Sequence, residues 1–370
     1  MTPSPPTADQ QITFLRNIQR ILSEGSFVAT YKYALLHALA DLAVLRGDDS
    51  GAPLSLSTDE IAERFIELYW LQGVSFGGKG CLRQSPGKSV AILNRVEDAR
   101  NRNRGSLARL RRDPKEWRRL KRDVARIVRV MPLWKLQTVG RGSLPFLYEN
   151  VQRGCEIELL PGVAFCLRAY HSLLVDLIRG AWVRYIRRHN VQLLGEGADL
   201  YTFLFGQERD VGLFARCAEF LREAQQARCL YCDRLLSSEG QVDHFVPWAL
   251  YPIDLGHNLV LAHSGCNLRK SDHLAAEDHL EAWLARTREG GANLEMEFNT
   301  ANVLYDRAAS ERIAAWAYAQ VDASRGLVWR GADVMEPLAG RWRTLLNATA
   351  LAYPDLNSMG GAAIAADRPM

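Results

Sequence analysis

Apolar residues recur at helical spacing along much of the chain. Phe14, Leu15, Ile18, Ile21 and Leu22 form one stripe, and Gly25 and Ser26 end it, which predicts a first helix from about residue 12. A second apolar run, about Val28–Leu45, stops at the turn-like Gly47-Asp48-Asp49-Ser50-Gly51. Ser57-Thr58-Asp59-Glu60 has the form of a capping box and opens a third helix to about Trp70. Two helices, a loop and a capped third fit a helix-turn-helix or winged-helix unit, with plain helical packing the simpler reading. Residues 144–160 are irregular and strand-like. Pro161-Gly162 then leads into a long helix through Phe165, Tyr170, Leu174, Ile178, Trp182 and Tyr185. It closes on Arg184, Arg187, Arg188 and His189, basic residues suited to a helix C-terminus. Gly195-Glu196-Gly197 marks a boundary, and a helix at about 209–226 delivers the chain to Cys229. A further helical segment follows at about 300–321, then a short piece with Trp329, Trp342 and Leu346.

Charge changes this picture in one place. The net charge is +4 over 370 residues, too small to announce a nucleic-acid binder by itself. Residues 95–129, however, hold fourteen Lys/Arg against five Asp/Glu. Asp113-Pro114-Lys115-Glu116 is a strong helix start, with an N-cap, Pro at N1 and Glu at N3. Beyond it Trp117, Leu120, Val124 and Ile127/Val128 share a face, and Arg118, Arg119, Lys121, Arg122, Arg126 and Arg129 take the others. Those cations are candidates for holding nucleic-acid backbone, a sequence-independent and salt-dependent contact. A solvated helix face or a dock for an acidic protein has the same pattern.

Composition is that of an ordinary globular protein, 48% hydrophobic and 24% charged, and the length suits two or three domains. Seven cysteines, an odd number, and a polar, proline-rich start without the form of a secretory leader argue against a disulfide framework. A cytoplasmic location is expected. No apolar run has the length of a membrane span.

The chemistry concentrates between Cys229 and Lys270. Cys229 and Cys232 form a two-residue-spaced pair, and His263 and Cys266 repeat the spacing about thirty residues later. Four such ligands in two paired turns predict a closed, tetrahedral structural Zn²⁺ site, joining loops too small to hold each other by apolar burial. Between the pairs stands Val242-Asp243-His244-Phe245-Val246-Pro247, a short strand stopped by proline. Neighbours on a strand point to opposite faces, so Asp243 and His244 serve one site only if the backbone bends there. Asn267 directly follows Cys266, where a zinc-bound turn would fix its direction.

This segment resembles the HNH (ββα-metal) endonuclease motif, in the variant whose last position is Asn. The motif reads CxxC, DHxxP, N-x-L and CxxCNxxK, and this sequence departs from it once, with His263 in place of the first cysteine of the second pair. The resemblance implies that Asp243 and Asn267 hold a catalytic Mg²⁺ or Mn²⁺, oxygen donors suiting a hard cation. It implies that His244 is the general base, a role suited to imidazole, which ordinarily titrates at about 6.5. Asn258 would tie the loop between the strands, and Lys270 would either contact phosphate or be a solvated lysine. The N-terminal half is similar, through Thr58-Asp59-Glu60-Ile61-Ala62-Glu63 and Gly87-Lys88-x-x-Ala91-Ile92, to that of stand-alone bacterial HNH proteins suspected of antiviral defence.

The expected fold is α+β and mostly helical: a helical, basic N-terminal domain (1–195), a zinc-stabilised nuclease domain (205–290), a C-terminal helical segment (291–347) and a disordered tail (348–370). The expected function is metal-dependent cutting or nicking of DNA, with RNA not excluded. The alternative is a zinc-stabilised nucleic-acid-binding subunit, inactive alone, in a complex with protein partners. Neither a membrane nor a nucleotide cofactor is implied.

Overall fold

The computed structural model describes residues 3–350, except 26–28, 79, 87–90, 151–153, 195–197, 207–210 and 238–239. The Gly195–Gly197 boundary, Gly87-Lys88 and the expected tail beyond residue 350 therefore lie outside the described residues. The chain divides into two units: Met1–Phe220 with Glu295–Tyr305, and Leu221–Leu294 with Asp306–Met370.

Unit one is helical. It runs α1 (Ala8–Glu24), α2 (Tyr31–Arg46), β1 (Leu54–Ser57), α3 (Thr58–Trp70), α4 (Ala91–Arg102), α5 (Leu107–Arg111) and α6 (Pro114–Val130). It continues through α7 (Pro132–Lys135), β2 (Thr138–Val139), β3 (Gly142–Ser143), β4 (Glu156–Leu159), α8 (Val163–Ala169), α9 (His171–His189), α10 (Leu200–Phe205) and into α11 (Val211–Ala224). Both helix starts read from the sequence are present. Ser57 Oγ accepts from Glu60 N while Glu60 accepts from Ser57 N, and Asp113 caps Lys115 and Glu116.

Every residue of α2 from Lys32 to Leu45 is buried. It is the central helix of unit one and has no outer face to lay in a DNA groove, which favours plain packing over a recognition helix. Its C-terminal carbonyls are capped by the buried Arg168, which donates to Ala43 O, Val44 O and Gly47 O and pairs with Asp49 at 2.8 Å. At mid-helix, Asp41 bonds His37 Nδ1 (3.0 Å) and His171 Nε2 (2.9 Å), and Arg179 Nε donates to His37 Nε2. Burial opposes the Asp41 charge, yet the two histidines hold its carboxyl well below the usual range. The long helix expected after Gly162 is broken into α8 and α9 at Tyr170, whose backbone leaves helical geometry (φ −112°, ψ 20°). No helix breaker marks that place in the sequence.

Unit two holds β5 (Gln241–His244), β6 (Leu259–Ala262), α12 (Ser264–Lys270), α13 (Glu277–Glu289), the first turn of α14 (Gly291–Ala301), α15 (Arg307–Ala323), β7 (Leu327–Gly331), β8 (Val334–Pro337) and α16 (Arg341–Ala350). All four sheets among the described residues are antiparallel pairs: β1–β4, β2–β3, β5–β6 and β7–β8. The β5–β6 ribbon and α12 make a ββα unit, backed by Phe245 stacked on Trp283 at 4.8 Å. By contacts, the stretch after residue 291 is shared between the two units. Residues 295–305 belong to unit one, and the described residues from 306 to 350 belong with the ββα unit. The buried Glu277 shows how: its carboxylate accepts from the backbone of Ala339, Gly340 and Trp342, clamping residues 339–342 to the start of α13.

Among the described residues, no helix is long and apolar enough to cross a membrane.

Candidate functional site

The two ligand pairs meet. Cys229, Cys232, His263 and Cys266 place their ligand atoms within 4.8 Å of one another, with Cys232 Sγ 3.3 Å from His263 Nδ1. Three local features build this. The turn after Cys229 closes through Asp233 N on Cys229 O, with Asp233 in the left-handed region (φ 55°). Leu230 N donates to Leu261 O, fastening that turn to β6. His263 caps α12, so Cys266 sits in its first turn. A tetrahedral zinc ion with Zn–S near 2.3 Å spaces its ligands at roughly 3.8 Å, which this cluster matches. The donor set fits as well. Burial, then the neighbouring Cys229 and Cys232 sulfurs, push the Cys266 thiol up, so the cluster calls for a cation to offset crowded thiolates.

Asp243 and His244 end β5, paired with Val260 and Leu259 of β6. Their side chains diverge as the pleat requires. Asp243 Oδ2 accepts from Tyr231 Oη at 2.6 Å and pairs with Lys270 Nζ at 3.0 Å. His244 Nε2 meets Asp254 Oδ1 at 2.7 Å. The chain bends at Phe245 and Val246, directly after His244, so both side chains border the same strand end. Asn258 holds that bend: its amide accepts from Val246 N and donates to Val246 O, at 2.8 and 2.9 Å. Replacing Asn258 with Ala leaves both buried backbone groups unpaired. It should cost about 3 kcal/mol of stability in urea unfolding, and a loss under about 0.5 kcal/mol would remove Asn258 from this role.

Asn267 lies near Asp243 by construction. Gln241 and Asp243 share one face of β5, and Gln241 Oε1 accepts from Asn267 Nδ2 at 3.1 Å. One turn along α12, Lys270 reaches Asp243. The Asn267 amide nitrogen is thus committed to Gln241, which leaves its oxygen as the atom to offer a cation. Both recorded bonds to Asp243 fall on Oδ2, which leaves Oδ1. Two hard oxygens on one face fit Mg²⁺ or Mn²⁺.

Lys270 is placed differently from a phosphate contact or a solvated lysine. It is 0% exposed, and its ammonium donates to His244 O (2.8 Å) besides pairing with Asp243. It is a strut between α12 and the end of β5. Burial lowers its pKa, against the pull of Asp243. In the basic helix α6, Arg118, Arg119, Arg122 and Arg126 are exposed as expected, whereas Lys121 turns inward to Glu63 (3.6 Å) and the Trp117 ring.

Sequence reasoning missed Asp254 and Tyr231. Tyr231 lies between the first two cysteines, a position whose only signal is that the turn must put something beneath β5. Asp254 occupies no motif position. His257, which occupies no motif position, is fully buried; its carbonyl is held by Trp283 and Arg286, and burial, followed by Arg286 and Arg307, lowers its pKa to about 3. His279 is half-buried against Trp329 and bonded to Arg330 O.

A bent strand end carrying Asp-His, an Asn on the following helix and a Cys₃His cluster at the base are the parts of a ββα nuclease fold. Residues 229–276 match the family model described as HNH endonuclease, so the chain carries an HNH endonuclease domain and is a phosphodiester-hydrolysing nuclease. No curated protein and no solved structure matches the chain.

Proposed function

We propose that this protein is a metal-dependent DNA endonuclease in which His244 is the general base. The observation that carries the reading is the end of β5: His244 held by Asp254 on one side, and Asp243 on the other face, the face whose Gln241 is bonded to Asn267 of α12. Asp243 and Asn267 would hold Mg²⁺ or Mn²⁺, which when bound neutralises the scissile phosphate and the leaving oxygen. His244 takes a proton from the attacking water, so the hydroxide forms in line with the bond that breaks. Asp254 fixes the imidazole and balances the charge that it gains. Lys270 keeps Asp243 and the His244 backbone in register. A single such site cuts one strand per event, so a nicked circle precedes a linear product.

The test is cleavage of supercoiled plasmid with Mg²⁺, Mn²⁺ or EDTA, alongside DNA and RNA strands of identical sequence. Metal-dependent nicking of DNA is expected; cutting confined to RNA, or persisting in EDTA, would overturn the reading. Asp254→Asn should lower kcat about 10- to 100-fold with KM unchanged, the worth of one charge-assisted hydrogen bond. An unchanged kcat would leave Asp254 a bystander.

The exposed arginines of α6 give the reading a backbone contact. Charge reversal at Arg119 and Arg122 should weaken DNA binding for every sequence alike. The slope of log K against log salt should fall by about 1 per lost phosphate contact, read by fluorescence anisotropy. An unchanged slope assigns α6 no phosphate.

A further inference from the structure

Unit one contains a cleft of about 240 Å³ that nuclease chemistry leaves unused. Its polar lining comes from Ser23 of α1, Tyr33 of α2, and Arg184, Tyr185 and Arg188 of α9, with Ala181 at its base. Arg184 and Arg188 are one helical turn apart, so both guanidiniums project from one face. Both are exposed, and among the described residues neither has a carboxylate partner. Arginines elsewhere in this unit do find one: Arg46 with Glu60, Arg64 with Glu67, Arg111 with Glu63. Two like charges at this spacing repel each other until an anion joins them.

The second observation is independent. Tyr185 is 7% exposed, and its hydroxyl is buried without a hydrogen-bond partner. Such an orphan is costly, and native folds seldom keep one without use. Its ring packs edge-on to Tyr33 at 5.9 Å, and Tyr33 is itself stacked on Trp182. Burial, then Tyr185, raises the Tyr33 pKa to about 12 while Arg184 and Arg188 pull it down, so all three side chains act on Tyr33.

We propose that this cleft binds a phosphate monoester, with Arg184 and Arg188 clamping the phosphate and Tyr185 donating its hydroxyl to it. Two guanidinium forks and a hydroxyl outnumber the oxygens of one carboxylate, and a dianionic phosphate with three terminal oxygens uses them all. The volume falls just short of the range of pockets that take organic ligands, about 300 Å³ upward, which suits a small ester. Two sources supply that chemistry: a free mononucleotide, or the 5′-phosphate end of a strand.

The experiment is equilibrium binding to the full chain carrying His244→Ala, which prevents turnover. The probes are AMP, inorganic phosphate, and one short single strand with either a 5′-phosphate or a 5′-hydroxyl. AMP or the 5′-phosphorylated strand should bind, and Arg184→Ala with Arg188→Ala should weaken that binding at least tenfold. Tyr185→Phe should weaken it several-fold while leaving the unliganded melting temperature equal or higher, because the orphan hydroxyl is gone; a purely structural tyrosine would lower it. AMP binding more tightly than the strand assigns the site to free nucleotides. A tenfold preference for the 5′-phosphate over the 5′-hydroxyl strand assigns it to strand ends. Binding of no probe, or binding indifferent to the arginine pair, overturns the proposal. The arginines and the nuclease motif belong to different units, so cleavage by the otherwise unaltered chain reads the nuclease assignment separately.

Discussion

His244→Ala should abolish plasmid cleavage, with a single-turnover rate about 10³- to 10⁴-fold below that of the unaltered protein. The loss belongs to the chemical step, since the alanine variant keeps Asp243, Asn267 and the Lys270 strut and should bind DNA with unchanged affinity. His244 is buried against Asp254, so the substitution also leaves a half-buried carboxylate without its hydrogen-bond partner. Asp254→Asn combined with His244→Ala removes that complication: the double variant should be at least as stable as the single one and equally inactive. Retention of more than a tenth of the cleavage rate would mean that another group takes the proton.

The second large effect concerns the clasp. Cys229→Ser or Cys266→Ser should abolish the zinc, one ion per chain by elemental analysis, and lower the melting temperature by about 10 °C or more. Structural zinc contributes about 10–16 kcal/mol in small peptides that have no other core. Unit two has one, centred on Phe245, Trp283 and Leu259–Leu261, so it should loosen rather than unfold completely. The visible consequence should be lost cleavage, because Leu230 N on Leu261 O and the cap at His263 are what aim β6 and α12 at the strand end. A strong chelator should reproduce it, and excess Mg²⁺ should not reverse it. Full activity with no zinc bound would show the four residues to be an ordinary thiol cluster.

How much was legible in the sequence follows from the range of each interaction. The paired ligands, the capping box at Ser57 and the N-cap at Asp113 depend on residues a few positions apart, and each is where the spacing put it. Asp243, His244, Asn258 and Asn267 were visible because the motif fixes their order; Asp243 and His244 lie at the end of β5, Asn258 holds the bend that follows, and Asn267 bonds Gln241 at the start of the same strand. Lys270 was misread because its ammonium is satisfied by β5, 26 residues earlier, which no local pattern announces. Asp254 was invisible for the same reason. So was the break at Tyr170, where periodicity runs straight through a junction set by tertiary packing. The β7–β8 hairpin escaped because its turn is built on Gly331 (φ 144°) and Ala332 (φ 44°), and alanine in that conformation is not a turn signal.

The clamp that Glu277 makes on residues 339–342 bears on how this nuclease could be borrowed or inherited. A fragment cut at the family limits, 229–276, would lack Trp283, which stacks on Phe245, and one cut at the end of α13 would still lack Trp329, which packs edge-on to Tyr231. The portable piece is instead discontinuous, two stretches of chain with a loan of residues 295–305 to the other unit between them. A graft intended to work elsewhere would have to bridge 294 to 306 with a short linker. By the same logic, insertions that evolution tolerates should collect in that excursion rather than at the end of the motif.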